Sequence, residues 1–108
     1  MDREEAIALA EKFAKKVANE FHPRQILLFG SYLRGTQQEW SDIDIAILFD
    51  KNNEPENWWK ATVRMYKIRR ELDNYDIEPH LWEYPEKDDP ADIAYQVMRT
   101  GKVLYQRA

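Results

Sequence analysis

A chain of 108 residues has the size of one compact domain, since such domains run to roughly 100–150 residues. With 44% apolar and 33% charged residues it reads as globular, and no apolar run approaches the ~20 residues of a membrane span. The absence of Cys removes disulfides, thiolate catalysis and Cys-held zinc together, while a net charge of −4 argues against a general nucleic-acid coat.

Asp2 with Glu5 three residues later reads as a capping box, and Ile7, Ala10, Phe13, Ala14, Val17, Ala18 and Phe21 then recur at helical spacing until Pro23. Gln25–Phe29 is a short apolar run and is expected to be a buried strand. A helical turn over Ser31–Leu33 follows, closed by Gly35 in a left-handed cap, and Thr36–Ser41 is polar loop. Ile43–Phe49, β-branched and apolar, is the strongest strand signal in the chain. Lys51–Asn57 is a turn, and a helix spans about Trp58 to Asn74 with a stripe of Trp58, Ala61, Met65, Ile68 and Leu72. Asp76–Glu83 is a third strand, confined to an edge or a bulge by Pro79. Pro85–Pro90 is loop, Ala91–Thr100 a short amphipathic helix ended by Gly101, and Lys102–Tyr105 a last short strand. This order predicts an α/β (α+β) fold, a small mixed β-sheet with flanking helices, over a single domain of residues 1–108. A core of this size leaves little room for both a catalytic site and a specificity domain, so an enzyme here is expected to rely on a partner for recognition. The opening residues do not read as a signal peptide, and a cytoplasmic location with no membrane contact is expected.

The chemistry concentrates between residues 27 and 44. The run Leu27-Leu28-Phe29 leads straight into Gly30-Ser31. A glycine there lets a bound group approach the backbone without meeting a Cβ, and Ser31 opens a helical turn whose free N–H groups suit phosphate. Asp42 and Asp44 follow, one residue apart at the start of the next strand, so their side chains project from one face. Two like charges so close repel unless a cation lies between them, and hard oxygen ligands select Mg²⁺ or Mn²⁺. Each piece alone is ordinary turn or surface chemistry; the combination is not.

Gly30-Ser31, Arg34-Gly35 and Asp42-x-Asp44 together resemble the signature of the minimal nucleotidyltransferases, which share the nucleotidyltransferase fold with DNA polymerase β. The resemblance is dense over residues 26–49 and implies NMP transfer from an NTP, most readily AMP from ATP, at a two-metal site for Mg²⁺, with Mn²⁺ an alternative. It implies catalytic and metal-binding roles for Asp42, Asp44 and a third carboxylate, and nucleotide-binding roles for Gly30, Ser31 and Arg34. Asp76 and Glu78 share a strand face and are the candidates for the third carboxylate. Ile77-Glu78-Pro79-His80 is similar to a family variant with Glu in place of the commoner Asp, which favours Glu78. The resemblance further implies a HEPN-domain protein as partner and acceptor in a toxin–antitoxin pair, and a homo- or hetero-oligomer. Nucleic acid is not the expected partner, with tRNA left open. The alternative is a weak or inactive module that keeps the nucleotide cradle and neutralises its partner by contact.

Other residues carry weaker expectations. Arg34 pairs a phosphate oxygen or braces the turn. Tyr32 stands where many members of that family carry Arg. Ser41 orders the loop before Asp42 or caps, His80 is structural, touches the nucleotide or orients a carboxylate, and His22 ends a helix. The five bases from Lys60 to Arg70 are met by no acid, whereas Glu71–Asp92 holds nine acids against Lys87 alone. Lys60, Arg64 and Lys67 form either a solvated face or a receptor for anionic groups. Adjacent Trp58 and Trp59 cannot both face one core, so one is a candidate for a partner surface, and Trp40 is weakly placed to stack on a base.

Overall fold

A computed structural model describes residues 1–38 and 41–108, so the expectation for Trp40 lies outside the described residues. The elements are α1 (Arg3–Phe21), β1 (Gln25–Phe29), α2 (Ser31–Arg34), β2 (Ile43–Phe49), a 3₁₀ turn at Lys51–Asn53, α3 (Trp58–Glu71), β3 (Ile77–Glu83), α4 (Ile93–Thr100) and β4 (Lys102–Gln106). The four strands form one sheet in the order β3-β2-β1-β4. β1 runs antiparallel to both β2 and β4, and β3 runs parallel to β2 after the crossover through α3. The mixed sheet with flanking helices is the fold class expected from the sequence. No described helix is long and apolar enough to cross a membrane.

Strand alternation sorts the sheet into two faces. Ile26, Leu28, Ile43, Ile45, Ile47, Phe49 and Ile77 join the buried stripes of α1 (Phe13, Val17) and α3 (Met65, Ile68) in the main core. Each such fully buried aliphatic or aromatic side chain contributes about 1.5–3 kcal/mol of transfer free energy, so this face carries most of the folding drive. The other face is covered by α4 through a smaller cluster of Leu27, Ala46, Leu48, Ala94 and Val97. β2 lies between β1 and β3 and feeds both clusters, which explains its unbroken apolar sequence.

Local chemistry sets the element ends. The Asp2 carboxylate accepts from the Glu5 N–H at 2.8 Å, and His22 closes α1 in the left-handed region at φ 50°. The helix expected to reach Asn74 stops at Glu71. Asp73 turns left-handed at φ 54°, and the buried Asn74 side chain accepts from the N–H groups of Asp76 and Ile77 at 2.8 and 3.0 Å. That Asx-type turn offers the backbone an alternative to another helical turn, which is why the apolar stripe outran the helix. At the fourth helix the expected start at Ala91 moves to Ile93, because the Asp92 carboxylate caps the Ala94 N–H. β3 is an edge strand, as Pro79 requires, with Pro79 in register with Ile45.

Candidate active site

The α4 face of the sheet is only part covered, and the expected chemistry stands on its open portion. Asp44 is the second residue of β2 and Glu78 the second of β3; the parallel register pairs them directly. Phe29, the last residue of β1, pairs with Asp44 on its other side. Ala46 and Leu48 of this alternation pack under α4, so Asp44 lies on the same face, and Glu78, His80 and Trp82 project alongside it. Asp42 is exposed just before the strand begins, while Asp76 is exposed just before β3 and uses its carbonyl to accept the Ile43 N–H at 2.8 Å. Register therefore makes Glu78, rather than Asp76, the direct neighbour of Asp44.

Gly30 is needed for a reason beyond ligand approach. At φ +84° it occupies a conformation L side chains avoid, and a Cβ built on it would stand 2.4 Å from the Asp44 Oδ2. The space left by the missing side chain is filled by the carboxylate of Asp44. The tight turn and the acid are thus one packing unit, which accounts for Gly30-Ser31 and Asp44 occurring together. α2 follows immediately, with Gly35 closing it at φ +76° and donating its N–H to the Ser31 carbonyl, as the sequence predicts. The first N–H groups of this turn have no partner within the helix. Arg34 is exposed at its end, whereas Tyr32 is buried in the main core with its backbone carbonyl accepting from Arg3. The Tyr32 side chain is therefore core, and its hydroxyl is pushed up in pKa by burial and then by the charge of Asp76.

Each paired carboxylate has a neutral or weakly basic partner. His80 Nε2 lies 3.1 Å from Asp44 Oδ1, so His80 orients a carboxylate. Its ring packs in a three-ring cluster with Phe29 and Trp82 at centroid distances of 5.2–5.7 Å. The Tyr66 hydroxyl, carried by α3, donates to Glu78 Oε1 at 2.9 Å. Burial raises the Tyr66 pKa first, with the Glu78 hydrogen bond and the Asp42 charge adding to it and Arg69 opposing them. The Arg69 guanidinium sits 4.4 Å over the Tyr66 ring and donates to the carbonyls of Tyr75 and Ile77, binding α3 to the start of β3. Tyr66 and Arg69 were not expected to act here. Nothing local marks Tyr66, because its role arises from the rotation of α3 against the sheet.

Several other residues have settled places. The Ser41 hydroxyl, one residue ahead of Asp42, accepts from the Gln38 N–H at 2.7 Å. Arg64 is clamped by Glu20 and Glu71, joining α3 to α1, and is thereby committed to a structural ion-pair network. Trp58 packs edge-on against Phe49 at 5.7 Å, whereas Trp59 is 74% exposed. Of the two, Trp59 is the one free to meet a partner.

The donor set of Asp42, Asp44 and Glu78 is all hard oxygen and fits Mg²⁺ or Mn²⁺. Among the described residues, however, no three His, Asp or Glu side chains converge closely enough to form a ready-made ion site. Asp44 and Glu78 instead spend lone pairs on His80 and Tyr66.

Residues 11–108 match the family model described as polymerase beta, nucleotidyltransferase. Two Methanocaldococcus jannaschii proteins named protein adenylyltransferase are similar. One is 47% identical over 47 residues, covering 44% of this chain and 47% of that protein; the other is 42% identical over 41 residues, covering 38% and 48%. The chain thus matches about half the length of these relatives. Among solved structures, a chain named as a nucleotidyltransferase from Sulfolobus solfataricus superposes with a TM-score of 0.62 at 21% identity, covering 97% of this chain and 84% of that one; at this identity it speaks for the fold alone. A toxin–antitoxin solved with AMP-PNP gives 0.54 at 30% identity, and a mutant of the toxin–antitoxin MntA-HpeT gives 0.58 at 27%, each covering 90% of this chain and 73% of the other. On the family match, which takes in the whole of the sheet and the carboxylate-bearing strands, the chain belongs to the polymerase beta nucleotidyltransferase family.

Proposed function

We propose that this protein transfers NMP, with ATP as the favoured donor, to a hydroxyl group on a partner protein, and that the partner is a HEPN-type toxin neutralised by the modification. The observation that carries the reading is the Asp44–Glu78 pair: two carboxylates in direct register, with no Lys or Arg in ion-pair contact among the described residues, beside a turn that only glycine can make. Beyond the His80 and Tyr66 contacts, two carboxylates so placed repel each other, and a divalent cation would supply the charge that offsets them. Relatives named protein adenylyltransferase and a toxin–antitoxin solved with AMP-PNP support the nucleotide and the protein acceptor.

Asp42, Asp44 and Glu78 would hold Mg²⁺ or Mn²⁺, which supplies Lewis-acid charge to the phosphoryl oxygens. The chain's own groups divide the remaining work. The N–H groups at Gly30–Ser31 receive phosphate oxygens, and the exposed Arg34 adds a charge-assisted contact. His80 fixes the Asp44 carboxylate, and Tyr66 with Arg69 fixes Glu78. Glu78 takes the proton of the attacking hydroxyl, for which a carboxylate within hydrogen-bond reach of the acceptor is required.

A second reading, a nucleotide- or partner-binding module without turnover, is favoured by the lack of a preformed three-carboxylate cluster among the described residues. One experiment separates the two. The protein is incubated with α-labelled ATP, Mg²⁺ and the candidate partner, beside an Asp42→Ala/Asp44→Ala variant. Label transferred by the wild type alone establishes the enzyme; tight partner binding without transfer from any of the four NTPs establishes the module.

A further inference from the structure

A hydroxyl already lies against the candidate general base. Tyr66 donates to Glu78 Oε1 at 2.9 Å, and among the described residues it is the only hydroxyl that donates to a carboxylate. The contact bridges helix and strand, and Arg69 stacked on the ring at 4.4 Å holds the phenol in place. Glu78 in turn is the cross-strand neighbour of Asp44, whose carboxylate fills the hollow at Gly30. Gly30, Asp44, Glu78 and the Tyr66 hydroxyl therefore form one contiguous path from the expected phosphate-binding turn to a nucleophile.

We infer that Tyr66 is a self-modification site: in the absence of a partner, the protein transfers NMP to its own Tyr66 hydroxyl. The inference rests on the nucleotidyl-transfer reading given above. In the step, Tyr66 Oη attacks the α-phosphorus of the NTP and forms a P–O bond. The bond between the α-phosphorus and the α,β-bridging oxygen breaks, pyrophosphate leaves, and the phenolic proton passes to Glu78. Geometry favours this acceptor over a free one, because holding nucleophile and base together converts a bimolecular encounter into a unimolecular step. The modified Tyr66 could no longer donate to Glu78, so the mark would also release the carboxylate that the phenol engages.

The test uses the full chain, without partner, with α-labelled ATP and Mg²⁺, followed by mass spectrometry that maps the modified residue. One NMP on Tyr66 is expected. Its rate should be independent of protein concentration, and label should fall to background in Asp42→Ala/Asp44→Ala and in Tyr66→Phe. Tyr66→Phe keeps the ring under Arg69, and mapping on the wild type does not depend on how that variant folds. Label on another residue, undiminished label in Tyr66→Phe, or a rate rising with protein concentration overturns the inference. So does a wild type that modifies an added partner or tyrosine-containing peptide yet leaves Tyr66 bare, and in that case the transfer reading survives. A protein that releases no pyrophosphate and modifies no acceptor overturns both.

Discussion

The two ends of β2 solve the same electrostatic problem in opposite ways. Asp44 at the start and Asp50 just past the end are separated by about 20 Å of strand, and their side chains are comparably shielded, at 27% and 22% exposure. Asp50 receives two guanidiniums: Arg24 at 3.2 Å and Arg107 in close contact. Burial alone would raise its pKa, but Arg107 and then Arg24 outweigh burial and hold it below the ordinary carboxylate range. Asp44 and Glu78 receive an imidazole and a phenol. Charge at the far end is spent inside the protein, tying the last strand to the first. At the near end no guanidinium or ammonium meets it among the described residues. On the proposed reading, comparable burial with unequal compensation separates a structural carboxylate from a functional one.

The largest expected effect tests the near end. Asp44→Ala should lower NMP transfer by about a thousandfold or more, since members of a catalytic unit are lost nearly as a whole, while its melting curve moves little. Asp50→Asn should do the reverse. Loss of charge-assisted hydrogen bonds of this kind costs about 1.5–3 kcal/mol, so its melting temperature should drop by several degrees with transfer retained. Transfer lost in both variants, or in neither, breaks the comparison. Gly30→Ala joins the two readouts. A Cβ in a left-handed turn against Asp44 costs about 1–3 kcal/mol, and it displaces the carboxylate, so both melting temperature and transfer should fall.

His80→Ala sharpens the near end further. Outer partners of metal-binding carboxylates are commonly worth about 10–100-fold in affinity, so Mn²⁺ titration monitored by water-proton relaxation should show weakening of that order. The smallest effect concerns acid. With the folded pKa of Asp50 depressed, its contribution to stability is present above the unfolded carboxylate value and is lost as pH falls through the folded one. Chemical denaturation of the wild type should therefore lose stability below about pH 4, and Asp50→Asn should flatten that limb of the profile.

What was legible in the sequence follows the range of the interactions involved. β1 and β2 were readable because apolar runs between breakers leave few alternatives, and Asp42-x-Asp44 because two adjacent carboxylates on one face need an explanation. The end of α3 was not, since Met65, Ile68 and Leu72 continue the stripe while Asn74 competes for the backbone through its side chain. Tyr66 and Glu78 are twelve positions apart and meet only because of how α3 packs on the sheet. Arg24, Asp50 and Arg107 come together from three distant points in the chain, and no spacing rule connects them. The role of Gly30 was half visible. Its freedom at positive φ was legible, but that its vacant Cβ position houses the Asp44 carboxylate was not.

The strand bearing Glu78 would also limit how the proposed protein acceptor presents itself. Pro79 is the third residue of β3, one residue beyond the candidate base, on the outer edge of the sheet. With no N–H at that position, an extended peptide cannot complete a ladder alongside it, and strand addition as a mode of recognition is blocked at the point where it would deliver an acceptor. On the proposed reading, a partner would instead bring a folded surface to the open face, with its hydroxyl on a side chain long enough to reach down to the carboxylates. Selectivity then belongs to the shape of the partner around that side chain rather than to a linear sequence motif.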